Sequence, residues 1–223
     1  SLFTCNKQLA KDAQNFFNMA TGYSNPKKWN YLSVAPLNLR NDLIDLINKE
    51  IFYKKNGKNG EIWLKCNSLV DEKIIEALYK ASKNNVRVEL IVRGVCCLKP
   101  QVKGLSDNIF VKSIIGRFLE HSRIYCFSNG KHMPSSSAKV FISSADMMPR
   151  NFDRRYEIMV PILNKTVHKQ ILQQIMVANL NDRVQAWQMK CDGDYSRIIP
   201  KKGSISAHKY FMKNPSLSGR GES

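Results

Sequence analysis

Apolar residues recur at helical spacing from Gln8 to Ala20, where Leu9, Ala13, Phe16, Phe17 and Ala20 fall on one side and Gly22 closes the segment. A turn at Asn25-Pro26-Lys27-Lys28 leads into a strand at Tyr31–Ala35. Asn38 is placed to cap a second helix that runs to Phe52, burying Leu39, Leu43, Leu46 and Ile47. Next come a strand at Glu61–Cys66, a helix from Leu69 to Ser82 introduced by Ser68 and Asp71 as a capping box, and a strand at Val86–Val92. Further strands fit Ile109–Ile115, Leu119–Phe127, Val140–Ser143 and Tyr156–Pro161. A long helix from Val167 to Leu180 and a short strand at Gln185–Met189 precede a basic Gly/Ser-containing tail. Strand, helix, strand at these lengths is the signature of a βαβ unit. The predicted class is α/β, a mixed and mostly parallel sheet flanked by helices.

Composition narrows the setting. With 223 residues, 43% of them hydrophobic, the chain can bury one good-sized core. No apolar run approaches the roughly 20 residues that span a bilayer, and no signal-peptide pattern opens the chain. It starts at Ser1 rather than methionine, so a segment of a longer protein is expected. Six cysteines at 5, 66, 96, 97, 126 and 191 form no Cys-x-x-Cys pair, which argues against structural zinc. Cys66 and Cys126 read as core residues in a reducing compartment, and the vicinal Cys96 and Cys97 lack a neighbouring base.

Charge changes the picture more. The net charge is +17, from 35 Lys+Arg against 18 Asp+Glu, which favours a polyanion such as nucleic acid, acidic lipid or a phosphate polymer. The loop Lys54-Lys55-Asn56-Gly57-Lys58-Asn59-Gly60 is a solvated face, but the surplus within Arg93–Arg155 surrounds a histidine motif. In Gly116-Arg117-Phe118-Leu119-Glu120-His121-Ser122-Arg123, one imidazole lies among guanidinium groups, with Ser143-Ser144-Ala145-Asp146 and Arg150-Asn151 behind it. If Leu119–Phe127 is a strand, His121, Arg123 and Tyr125 share a face about 6–7 Å apart. Imidazole beside planar guanidinium forks suits chemistry on phosphate. Arg93, directly after one strand, and Lys65, at the end of another, fall on the carboxyl rim where α/β sheets gather ligands. Blander roles compete: Arg93 paired with Asp107, Asp146 capping a helix, and His132, His168 and His208 merely solvated.

The His-x-Arg element with its trailing Ser-Ser-Ala-Asp resembles the phospholipase D superfamily, with Arg123 standing where that family has lysine. Lys65–Asp71, Leu90–Gly94, Val111–Arg123 and Ser143–Asn151 together resemble the C-terminal part of bacterial-type polyphosphate kinases, and the likeness runs from Leu2 to about Met212. That resemblance implies a phospholipase-D-like fold and reversible transfer of the terminal phosphate of ATP to polyphosphate, with Mg2+. It also implies a phosphohistidine in a His-Thr-Gly-Asn-Tyr-Asn segment that this chain lacks. On this basis residues 1–30 would end a preceding phospholipase-D-like domain, 31–210 would form the complete second one, and 211–223 a flexible basic tail. By similarity Arg93 and His121 bind the nucleotide phosphates and His121 is catalytic. On physical grounds Lys65, Arg117, Arg123 and Arg150 are added as candidates for the polyphosphate path. The resemblance also implies that the magnesium-linked positions lie in the missing part, so no metal ligand is expected within the chain. The implied partners are ATP/ADP, inorganic polyphosphate, the rest of the kinase chain and further copies in a homo-oligomer, in a cytoplasmic or membrane-peripheral setting, and the segment alone is expected to be inactive. The alternatives are a phospholipase-D-like nuclease or phosphodiesterase and a non-catalytic polyanion-binding module.

Overall fold

Hydrophobic alternation along β2 (Glu61–Cys66) sets the architecture. Ile62, Leu64 and Cys66 point into one core with α2 (Leu39–Lys55) and α3 (Glu72–Lys83). Trp63 points into a second core with the long C-terminal helix. A central strand with both faces buried is what helices on both sides of a sheet require. The computed structural model describes residues 2–26 and 28–214.

Among these residues the sheet has nine strands. From one edge they are β1 (Ser33–Ala35), β7 (Glu157–Pro161), β6 (Lys139–Ser143), β5 (Ile124–Phe127), β2, β3 (Arg87–Val92), β4 (Ile109–Ile114), β8 (Ala186–Met189) and β9 (Tyr195–Arg197). The mixed α/β class stands. Parallel pairing is confined to β2–β3 and β3–β4, a smaller share than the strand–helix alternation suggests, because β5 folds back antiparallel on β2 and β8 on β4. The long helix comprises α5 (Lys165–Lys169), a π-helical stretch Gln170–Met176 and α6 (Val177–Asn181).

Several boundaries differ from the periodicity reading, each for a local reason. Helix α3 starts at Glu72 with Asp71 as its cap, its carboxylate accepting from Ile74 N at 3.1 Å. Ser68–Val70 are instead drawn into the rim: Leu69, 0% exposed, bridges to Cys96 and to Met147. Asn38 does not cap α2 with its side chain. Its Oδ1 accepts from Val34 N and its amide donates to Asp42. Asp146 caps no helix, since α4 (Pro149–Asp153) begins after Met148. Leu119–Arg123 is not strand but loop, and β5 begins at Ile124. Strand β9 and α7 (Ala207–Lys213) lie where the composition reads as tail. Residues 215–223 of the expected tail lie outside the described residues.

Helix α1 (Lys7–Ala20) is fastened to this sheet by one buried carboxylate. Asp12, 0% exposed, accepts from the backbone N–H groups of Asn30, Tyr31 and Leu32 and from the Asn30 amide, at 2.7–3.0 Å. Burial alone would raise its pKa, but these donors outweigh it and hold the carboxyl below its ordinary value. A depressed carboxyl stabilises the fold above its unfolded pKa and loses that contribution as pH falls through the folded value. Asp12→Ala is therefore expected to lower the unfolding free energy at neutral pH by about 2–3 kcal/mol in urea denaturation. The difference from wild type should shrink below about pH 4. An equal difference at neutral and acidic pH would contradict the assignment.

Candidate active site

The register places one set of loops on a single rim. The carboxyl ends of β2, β3, β4 and β6 and the amino ends of β5, β7 and β8 all lie there. Lys65, Arg93, Arg117, His121, Arg123 and Arg150 belong to these ends and the loops that leave them. The Arg93–Gly94 turn lies against the end of β2. Arg93 N donates to Cys66 O at 3.3 Å and Gly94 N to Asn67 O at 2.6 Å. A Cβ at Gly94 would sit 3.0 Å from that same carbonyl, so only glycine fits without a shift.

Asp146 organises the rest. Its carboxylate receives Arg123 Nε at 3.2 Å and Nη2 at 2.8 Å, a bidentate fork. It also receives Asn67 N at 2.8 Å, the Asn67 amide and Ser68 N. Burial pushes the Asp146 pKa up, yet the bonds from Arg123 and Asn67 prevail and keep it below the usual carboxylate value. The same hydrogen bond holds Arg123 above its ordinary value against the effect of burial.

The third corner of Arg123 reaches His121. Nη1 donates to the His121 carbonyl at 3.1 Å and lies 3.1 Å from its Nδ1. Guanidinium can only donate, so Nδ1 is the acceptor and the neutral ring carries its proton on Nε2. His121 itself is exposed. The pairing of His121 with Arg123 is thus present, made by a loop and a fork rather than by strand alternation.

The remaining candidates divide into two groups. Lys65 is 4% exposed; its Nζ forms an ion pair with Glu120 and meets Asn179 Oδ1 at 3.2 Å, so it is turned away from solvent. Arg93 is half-buried and Arg117 and Arg150 are exposed. None of these three has an ion-pair partner among the described residues, and Arg93 is not bonded to Asp107, which accepts from Gly104 N instead. A cavity of about 1200 Å³ opens at the opposite end of the strands beside Val140, Ile162 and Leu172, away from all of them.

A family description, "Polyphosphate kinase C-terminal domain 2", matches residues 32–208. The chain belongs to the polyphosphate kinase family. It is 51% identical over 221 residues to a polyphosphate kinase of Erythrobacter litoralis, covering 99% of this chain and 31% of that one. Against a polyphosphate kinase of Prosthecochloris aestuarii the identity is 43% over 217 residues, 97% and 30%. The crystal structure of polyphosphate kinase from Porphyromonas gingivalis superimposes with a TM-score of 0.88 at 34% identity, over 97% of this chain and 32% of that chain. The chain thus spans about a third of the length of the curated relatives it matches.

Two features of this family member escape sequence reasoning. The sequence leaves Asp146 open between a helix cap and a carboxylate behind the histidine motif, because its only local signal is its position after a strand. His208 reads as solvated, yet it is 1% exposed, with Nε2 2.9 Å from Glu120 and its ring stacked obliquely 5.3 Å from Phe118. Polar surroundings in sequence hid a partner 88 residues away. Two of the rim carboxylates are not free to meet a magnesium ion. Glu120 and Asp146 are committed to Lys65, His208 and Arg123, while Glu157 accepts from the Asn151 amide; no three metal-binding groups converge among the described residues. No described helix is long and apolar enough to cross a membrane.

Removing Asp146 strands a guanidinium and two backbone donors at once. Asp146→Ala is expected to lower the unfolding free energy by about 3 kcal/mol in denaturant titrations. Arg123→Lys, which keeps the charge but not the fork, should lose less. Wild-type stability in Asp146→Ala would show that the pair does not organise the rim.

Proposed function

We propose that this domain forms the charge-stabilising wall of the transfer site in an ATP:polyphosphate phosphotransferase, opposite the group that receives the phosphate. The terminal phosphate of ATP passes to a histidine outside these 223 residues: the bond from the β–γ bridging oxygen to phosphorus breaks as an N–P bond forms, releasing ADP. The terminal oxygen of a polyphosphate chain then displaces that histidine, and both steps are reversible. The domain boundaries follow the same reading, with residues 31–210 as the second phosphotransferase lobe and 1–30 closing the lobe before it. Any magnesium that accompanies ATP would take its protein ligands from elsewhere in the enzyme.

The observation that carries this reading is the His121 ring, exposed on the rim with Nδ1 occupied by Arg123. Such an imidazole presents an N–H donor, not a lone pair. It suits charge stabilisation of a transferring phosphoryl group and does not suit attack on phosphorus. Metaphosphate-like transition states spread charge over three equatorial oxygens, and a half-buried Arg93 can meet these with fixed donors. Arg117 and Arg150, exposed on the same rim, are the candidates for holding the product chain. Lys65 and Arg123, already paired with Glu120 and Asp146, serve the path by fixing the loops rather than by touching phosphate.

In the full-length kinase, His121→Ala should reduce polyphosphate synthesis by about 100- to 1000-fold. His121→Gln, which keeps a donor, should lose less. Polyphosphate binding should persist in both and weaken as salt rises. Near-normal synthesis by His121→Ala would remove this residue from the chemistry and leave a polyanion-binding module.

A further inference from the structure

We propose that His208, on the last described helix, is a positioning residue for the phosphate site: it grips the loop that presents Arg117 and His121. This rests on the role given to His121 above. Glu120 is the only acid in that loop, and its two oxygens are divided between two residues from distant elements. One meets Lys65 at the end of β2, and the other meets His208 Nε2 at 2.9 Å. The other ring nitrogen of His208 accepts the backbone N–H of Phe118 at 3.3 Å. One imidazole therefore holds the loop at residues 118 and 120, immediately before His121.

The tautomer follows from the partners. A backbone N–H can only donate, so Nδ1 is bare and Nε2 carries the proton to Glu120. The loop is pressed onto this anchor: a Cβ at Gly116 would lie 1.8 Å from Gln185 Nε2 and 2.7 Å from His208 Nδ1. Beyond the anchor the loop has little to hold it. Phe118 and Leu119 are exposed, and among the described residues His121 has only Arg123 as a side-chain partner. A buried ionic cluster contributes little net stability relative to apolar groups of the same shape. Its effect is expected in where the loop sits, and an ångström of misplacement at a reacting group is costly.

The test uses the full-length kinase carrying this domain, with synthesis measured from labelled ATP. His208→Leu, which keeps the packing against Phe118 but neither hydrogen bond, should lower kcat about 10- to 100-fold with a smaller change in KM for ATP. His208→Gln, whose amide N–H can replace Nε2–H, should recover most of the loss. His208→Asn, which can replace only the Nδ1 acceptor, should recover less. On a His121→Ala background, His208→Leu should add no further loss. Wild-type kcat in His208→Leu, or a loss that multiplies fully with that of His121→Ala, overturns the proposal. Where His208→Leu does not fold, equal kcat values for the Gln and Asn variants overturn it. Near-normal synthesis by His121→Ala overturns the functional reading instead, which separates the two failures.

Discussion

The carboxylate of Asp146 closes the rim. It stands at the end of β6 and collects donors from the ends of β2 and β5, so three strands that diverge beyond their last ladder bonds are tied at one point. A charge this buried is tolerated only when its lone pairs are filled, and Arg123, Asn67 and Ser68 fill them. The same fork leaves one guanidinium corner over, and that corner sets the His121 ring. The setting and tautomer of the His121 ring thus depend on a single ion pair.

The cations of this chain therefore do two different jobs. Arg123 and Lys65 neutralise carboxylates inside the rim, while Arg93, Arg117 and Arg150 have no acidic partner among the described residues. Paired charges contribute almost nothing to the field at a distance, whereas unpaired ones gathered on one rim attract a polyanion. Net charge points to a polyanionic partner, but only the pairing pattern shows which side chains are left to meet it.

Much of the fold is legible from hydrophobic period. Strands β2, β3 and β4 are mostly apolar with isolated charges such as Lys65, Glu89 and Lys112, and the α1 and α3 stripes are strongly one-sided, so their existence follows from the pattern. What is illegible is decided by distant partners. Ser68 has the chemistry of a cap, yet Leu69 gains more by burial between two rim loops than a first helical turn would supply. Strand β9 and α7 are three and seven residues long in polar sequence, too short for period to register. At the site, His121 and Arg93 stand out locally because histidine and arginine are clustered with glycine at strand ends. The burial of His208 depends on Glu120, and nothing within several residues of either announces the other.

The directions of the hydrogen bonds also bear on how the work of the enzyme is divided. In-line transfer places the attacking atom and the leaving oxygen on opposite sides of phosphorus, with the charge-bearing oxygens around its waist. On the reading proposed above, a rim whose exposed imidazole offers N–H, and whose unpaired groups are guanidinium, serves the waist. It supplies no free nitrogen lone pair from His121, whose Nδ1 is taken by Arg123. A covalent phosphohistidine then calls for a second imidazole facing this rim across the phosphate. That requirement accords with relatives about three times as long as this chain. On that proposed reading, donor geometry at one ring leads to a two-sided site, with the attacking group on the opposite wall.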